Sequence, residues 1–118
     1  MWDVEYTDEF EDWWESLDED EQHSLAMSVA ELEDIGPNLG RPQVDTVNGS
    51  RHTNMKELIT QHQGKPYRTF FAFDPRRKAI LLIGGNKTGD KRFYKRMIPI
   101  ADDLYDDHLQ EIKREGLT

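Results

Sequence analysis

Tyr67-Arg68-Thr69-Phe70-Phe71-Ala72-Phe73-Asp74-Pro75-Arg76-Arg77-Lys78-Ala79-Ile80-Leu81-Leu82-Ile83 is the most strongly patterned segment of the chain. Two runs rich in aromatic and β-branched residues, Tyr67 to Phe73 and Lys78 to Ile83, flank Asp74-Pro75-Arg76-Arg77. The four-residue link suits a type I turn with proline in its second position, so the pattern predicts a central antiparallel hairpin. Both runs are apolar on both faces, so helices or further strands must cover each side of the sheet.

Upstream, Asn48-Gly49 is a turn signal between Val44/Val47 and an extended run from Met55 to Thr60, whereas Leu39 to Asp45 has only a weak pattern. At the start of the chain, Trp2, Val4 and Tyr6 alternate with Asp3 and Glu5, the period-two pattern of a half-buried strand. Thr7 or Asp8 then offers an N-cap to a short helix bearing Phe10, Trp13, Trp14 and Leu17, with acids where the helix dipole favours them. A second helix is expected from near Asp18 through Leu25, Val29, Leu32 and Ile35, stopped by Gly36 and Pro37. Its short connection to the first predicts an antiparallel pair. Downstream, Gly84 to Asp90 reads as a loop, and Tyr94, Met97, Ala101, Tyr105, Leu109 and Ile112 mark a C-terminal helix. Pro99 either sits in the first turn of a helix that begins there or kinks a longer one. The expected fold is α+β in the order β-α-α-β-β-β-α, a small antiparallel sheet packed by two N-terminal helices and a C-terminal helix.

The 118 residues suit one domain spanning 1–118. Without cysteine, disulfides and thiolate metal sites are excluded. The acidic start has no signal-peptide character and no apolar run reaches membrane-spanning length, so a cytoplasmic protein without membrane attachment is the expectation. The net charge of −9 conceals a strong polarity: residues 1–48 carry −14, residues 49–101 carry +9 and residues 102–118 carry −4. A basic segment between acidic flanks attracts phosphate while restricting the approach of a polyanion.

Four segments in order, Asn54-Met55-Lys56-Glu57-Leu58, Tyr67-Arg68-Thr69-Phe70-Phe71, Ile80 to Thr88 and Ile98-Pro99-Ile100-Ala101-Asp102, resemble toxins of the RelE/ParE superfamily, in its HigB-like, phage-related branch. The resemblance covers nearly the whole chain. It implies two N-terminal helices against a curved sheet. It further implies the toxin of a type II toxin–antitoxin pair, a metal-independent endoribonuclease acting on mRNA in the ribosome. Its partner would be a cognate antitoxin, in this branch often a helix-turn-helix protein, and no small-molecule cofactor is implied. Many relatives carry arginine directly after the Glu-Leu pair, where this chain has Ile59.

Cutting RNA without metal requires the 2′-hydroxyl to attack the adjacent phosphorus, an anionic phosphorane to be stabilised, and protons to be moved. Arg68, with a planar fork suited to two phosphate oxygens, Lys87 at the loop end of the next strand and Lys56 on the neighbouring strand are the candidate catalytic cations. Tyr94 is the candidate for stacking on a base or for proton transfer. Arg51, Lys91, Arg92, Lys95 and Arg96 are candidate RNA-binding residues. A single concave face holding Arg51, Lys56, Arg68 and Lys87 is the geometric expectation.

Each candidate has a plainer reading. Arg68 pairs with Glu57 across the sheet, the basic residues after Lys87 form a solvated or antitoxin-binding surface, and Tyr94 is helix packing. Asp102-Asp103 with Asp106-Asp107 reads as a solvated helix face, and His52 and His62 as exposed loop residues. His23, His52, His62 and His108 lack ligand spacing, so no metal site is expected. Gly84 to Gly89 lacks the spacing of a nucleotide-binding phosphate loop. Besides an RNA-cleaving toxin, the fold family admits a non-catalytic inhibitor of DNA gyrase and a degenerate antitoxin-binding module.

Overall fold

The computed structural model describes residues 1–118. The elements in order are β1 (Val4–Tyr6), α1 (Asp8–Glu15), α2 (Glu19–Ile35), a 3-10 turn (Gly36–Asn38), β2 (Val44–Thr46), β3 (Lys56–His62), β4 (Lys65–Phe73), β5 (Ala79–Asn86) and α3 (Phe93–Arg114). The strands form one sheet ordered β1-β5-β4-β3-β2. Its heart is the expected β4–β5 hairpin, closed by the Arg77 N–H donating to the Asp74 carbonyl at 2.7 Å. Arg77 then adopts a left-handed φ of 66° to re-enter the sheet.

Two expectations about the sheet need correction. It holds five strands, because Val44–Thr46 pairs antiparallel with β3 (Val44↔Leu58), a strand missing from the expected order. Three residues are too few for an alternation to be visible, and it is pairing with β3 that makes them a strand. The sheet is also mixed, because β1 runs parallel to β5 (Val4↔Ala79, Tyr6↔Leu81). A period-two pattern identifies a strand but neither its neighbour nor its direction. Trp2, expected inside β1, lies outside it and packs edge-on to Phe73 at 5.7 Å.

The helices begin where the sequence places them. The Thr7 hydroxyl accepts from the Phe10 N–H at 3.0 Å, and Asp18 and Glu21 form a reciprocal capping box at 2.8 and 2.9 Å. Gly36, with φ 73°, ends α2, and a Cβ there would lie 2.3 Å from the Trp2 indole nitrogen. Pro99 lies inside one longer helix rather than at its start, since α3 runs from Phe93 to Arg114 through it.

Phe70 and Phe71, adjacent on β4, are both fully buried on opposite faces. Phe70 joins Ala72, Ile80, Leu82, Phe93, Met97 and Tyr105 beneath α3. Phe71 joins Phe10, Leu25, Leu32, Leu58 and Leu81 beneath α1 and α2. Between them the β4–β5 register slips, from Phe70↔Ile83 to Phe71↔Leu81, leaving Leu82 as an extra residue in β5. Gly84 and Gly85, expected in a loop, are paired residues of β5. A Cβ on Gly84 would stand 2.1 Å from the Trp13 ring and one on Gly85 2.9 Å from Phe93. These glycines let α1 and α3 approach the sheet from opposite sides.

Charged clusters fasten the periphery. Arg76 in the hairpin turn contacts Asp74 and Glu5 of β1, each at 2.7 Å, and His108 of α3 reaches the same Asp74 at 2.7 Å. Asp102 and Asp106 do not form a merely solvated helix face: Asp102 is buried and accepts from the Ser50 hydroxyl and the Arg51 N–H, while Asp106 binds Arg51 and His52. The segment before β3 is thereby tied to α3.

Gly84→Ala is expected to cost about 1–3 kcal/mol through collision with Trp13, whereas Gly40→Ala, with nothing within 4 Å of its Cβ, leaves the urea midpoint unchanged. A second outcome concerns acid. Burial pushes the Asp74 carboxyl up, but hydrogen bonds from Arg76 and His108 outweigh it and hold it below its ordinary 3.8. The hydrogen bond from Arg76 likewise lowers Glu5 below 4.5. Lowered folded-state values mean stability that is complete above about pH 5 and lost as pH falls through those values. Urea unfolding across pH should show that acid limb, shallower in Asp74→Asn.

Candidate functional site

Alternation along β4 turns Arg68 toward the α3 side with Phe70 and Ala72, and alternation along β3 turns Glu57 and Ile59 the same way. The register sets Ile59 opposite Arg68 and Glu57 opposite Phe70, so Glu57 is diagonal to Arg68. Arg68 Nε lies 2.9 Å from Glu57 Oε1, with the side chains only 11% and 10% exposed. That contact is close in distance but poorly aligned as a hydrogen bond, leaving the buried Nε–H without a well-directed acceptor. Nη1 donates to the Tyr67 carbonyl at 3.0 Å.

The first turn of α3 adds Tyr94, whose hydroxyl donates to the same Glu57 Oε1 at 2.6 Å. Its ring packs edge-on to Phe70 and Phe93. Lys87, the residue after β5, places Nζ 5.4 Å from the centre of the Tyr94 ring. The Lys87 N–H donates to the Pro66 carbonyl at 2.9 Å, which fixes where this chain leaves the sheet. Arg68, Glu57, Tyr94 and Lys87 thus form one continuous contact chain. Burial, then the Glu57 hydrogen bond, raises the Tyr94 phenol above its usual 10.0, with Arg68 opposing. At neutral pH it is a proton-bearing group.

The expected single face of four cations is not formed. Lys56 points to the α2 side with Leu58 and Thr60, where its Nζ lies 3.5 Å from the Thr46 hydroxyl. The one-residue alternation that brings Glu57 to Arg68 sends Lys56 away. Arg51 is held by Asp103 at 3.0 Å and Asp106 at 2.5 Å, so its charge is answered locally. Lys91, Arg92 and Lys95 are exposed around the start of α3 and make no ion pair, while Arg96 pairs with Asp90 at 2.8 Å. His52 and His62 are not free loop residues: they contact Asp106 and Ser24, each at 2.7 Å. No grouping of His, Asp and Glu side chains is arranged to hold a metal ion.

Besides its place in the Asn54 to Leu58 segment, Glu57 is in the sequence a rival partner for Arg68, and that ion pair is present. Its hold on Tyr94 was not foreseen, because nothing in the sequence specifies how α3 seats on β3. A groove of about 470 Å³, lined by Phe10, Trp14 and Val29, lies on the opposite side of the sheet.

A family model described as Phage derived protein Gp49-like (DUF891) matches residues 12–106, which include every residue of this cluster. Over 103 residues the chain is 44% identical to "Putative toxin HigB2" of Mycobacterium tuberculosis, covering 86% of this chain and 51% of that protein. Over 93 residues it is 50% identical to "Putative toxin HigB3" of the same organism, covering 78% and 80%. The chain thus spans about half the length of the first relative and four-fifths of the second.

The ultraviolet titration difference between the wild type and Tyr94→Phe should place the Tyr94 phenol above 10.0. A phenol titrating below that value would contradict its burial against the Glu57 carboxylate.

Proposed function

The chain belongs to the Gp49-like family of phage-derived proteins, in the HigB-like branch of the RelE/ParE toxins, and on that premise we propose that it is the toxin of a type II toxin–antitoxin pair that cuts mRNA on the ribosome. A cognate antitoxin, in this reading a helix-turn-helix protein, holds it inactive. The observation that carries the proposal is the meeting of Arg68, Lys87 and Tyr94 at the N-terminal end of α3.

The electrostatics support it. The first turns of α1 and α2 each hold three acids, as the positive end of a helix dipole favours. The first turn of α3 holds none and is bordered instead by Lys91, Arg92, Lys95 and Arg96. Cations set against the dipole do not serve helix stability. They build a positive pole that attracts phosphate.

In the proposed reaction the 2′-oxygen forms a bond to the adjacent phosphorus, the bond from phosphorus to the 5′-oxygen breaks, the 2′-hydroxyl proton leaves and the 5′-oxygen gains one. Arg68 and Lys87 stabilise the charge that grows on the phosphorane. Tyr94 keeps its proton at neutral pH and gives its hydrogen bond to Glu57, so it holds that carboxylate or stacks on a base rather than acting as the base. An open site on a chain of net charge −9 suits a substrate positioned by the ribosome.

A second reading has its own observation. Glu57 already occupies Arg68, and Ile59 stands where relatives carry arginine, a combination that favours an antitoxin-binding module without cleavage.

Expression of the wild type, Lys87→Ala and Arg68→Ala/Lys87→Ala in a host lacking the antitoxin, with mapping of new RNA 5′ ends, separates these readings. Growth arrest with codon-phased cuts is expected from the wild type, with cutting reduced about a hundredfold or more in the double variant at equal soluble protein. Arrest without new ends would replace the proposal with inhibition of another target such as gyrase, and absence of arrest would favour the binding module.

A further inference from the structure

We infer that Glu57 is a positioning residue: it holds Arg68 and Tyr94 in one geometry that leaves Nη2 of the Arg68 guanidinium as the donor for a nucleic-acid phosphate oxygen. The inference rests on the RNA-cleaving reading of the same site.

Three observations lead to it. The guanidinium is restrained on two sides, by Glu57 Oε1 at Nε and the Tyr67 carbonyl at Nη1, while Nη2 forms no directed hydrogen bond to the protein and the side chain keeps 11% of its surface exposed. Oε1 of the same carboxylate accepts from Tyr94, so one acid fixes the cation and the phenol relative to each other. Both anchors stand on paired strands, β3 and β4, where the backbone has little freedom to drift.

A role in stability alone is a poor account of this carboxylate. A nearly buried ion pair gives little net stabilisation over well-packed apolar side chains, because both charges lose hydration. Its charge also opposes the proposed ligand, since a carboxylate beside a phosphate site weakens anion binding. With Oε1 engaged by both Arg68 and Tyr94, this group contributes to turnover by fixing where the bound phosphate lies against the reacting atoms. Positioning and simple masking of Arg68 therefore predict opposite signs for the same substitution.

Glu57→Gln retains the shape and an acceptor for Tyr94 but removes the charge. Glu57→Asp keeps the charge and the ion pair, which protects folding, but withdraws the carboxylate by one methylene. Cleavage of mRNA on programmed ribosomes should show kcat lowered about a hundredfold in Glu57→Gln and at least about tenfold in Glu57→Asp, with KM unchanged or lower in Glu57→Gln. Wild-type or raised kcat in either variant overturns the inference and makes Glu57 a mask. A second readout needs no cleavage: the nitrogen-15 resonance of Arg68 Nε–H should be sharp and slowly exchanging in the wild type and broadened or shifted in both variants. If the wild type cuts no RNA, the cleavage reading fails and this resonance decides alone, an unchanged signal in Glu57→Gln overturning the positioning role.

Discussion

The burial of Phe70 and Phe71 on opposite faces of one strand is the constraint on which the rest of the molecule depends. Adjacent strand residues point to opposite sides, so two fully buried aromatic rings in succession require a sheet covered on both. The α1–α2 pair supplies one cover and α3 the other. The extra residue Leu82 and the side-chain-free Gly84 and Gly85 adjust β5 so that Trp13 and Phe93 can close on it from either side. The candidate site follows from that packing. Seating Phe93 against Gly85 carries the next residue, Tyr94, over Glu57 and Arg68.

Charge is distributed with equal consequence. The acids of α1 and α2 sit where helix dipoles stabilise them, and Asp102, Asp103 and Asp106 neutralise Arg51 while tying the segment before β3 to α3. Once these pairings are made, Lys56, Lys65 and Arg77 remain without an ion pair, but the largest group of such cations is a cluster. Lys87, Lys91, Arg92 and Lys95 gather at one end of α3, beside the nearly buried Arg68. A net charge of −9 discourages nonspecific polyanion binding, and in the proposed function such a pole is where phosphate meets the protein.

The same pole explains why Glu57 stands out. In a segment where bases far outnumber acids, the carboxylate closest to Arg68 opposes the field that surrounds it. Its two contacts on one oxygen exchange electrostatic attraction for geometric definition, a trade that suits the positioning role proposed for it.

Local signals were legible in the chain itself. The Thr7 and Asp18 caps, the Gly36 stop, the Asp74-Pro75 turn and the two-faced apolar strands all act within a few residues, so composition and spacing determined them. The α+β class, the two covers of the sheet and the basic candidate segment followed. What only the tertiary structure decided is non-local: the parallel neighbour of β1, the pairing that makes Val44–Thr46 a strand, the seating of α3 and the register of β3 on β4. Because strand side chains alternate, that register sends Lys56 to one face and Glu57 to the other, joining Arg68 to a carboxylate and a phenol instead of a second lysine. Spacing along a chain sets which residues share a strand face, but contacts between strands and helices depend on how distant segments pack, and those contacts selected the members of the site.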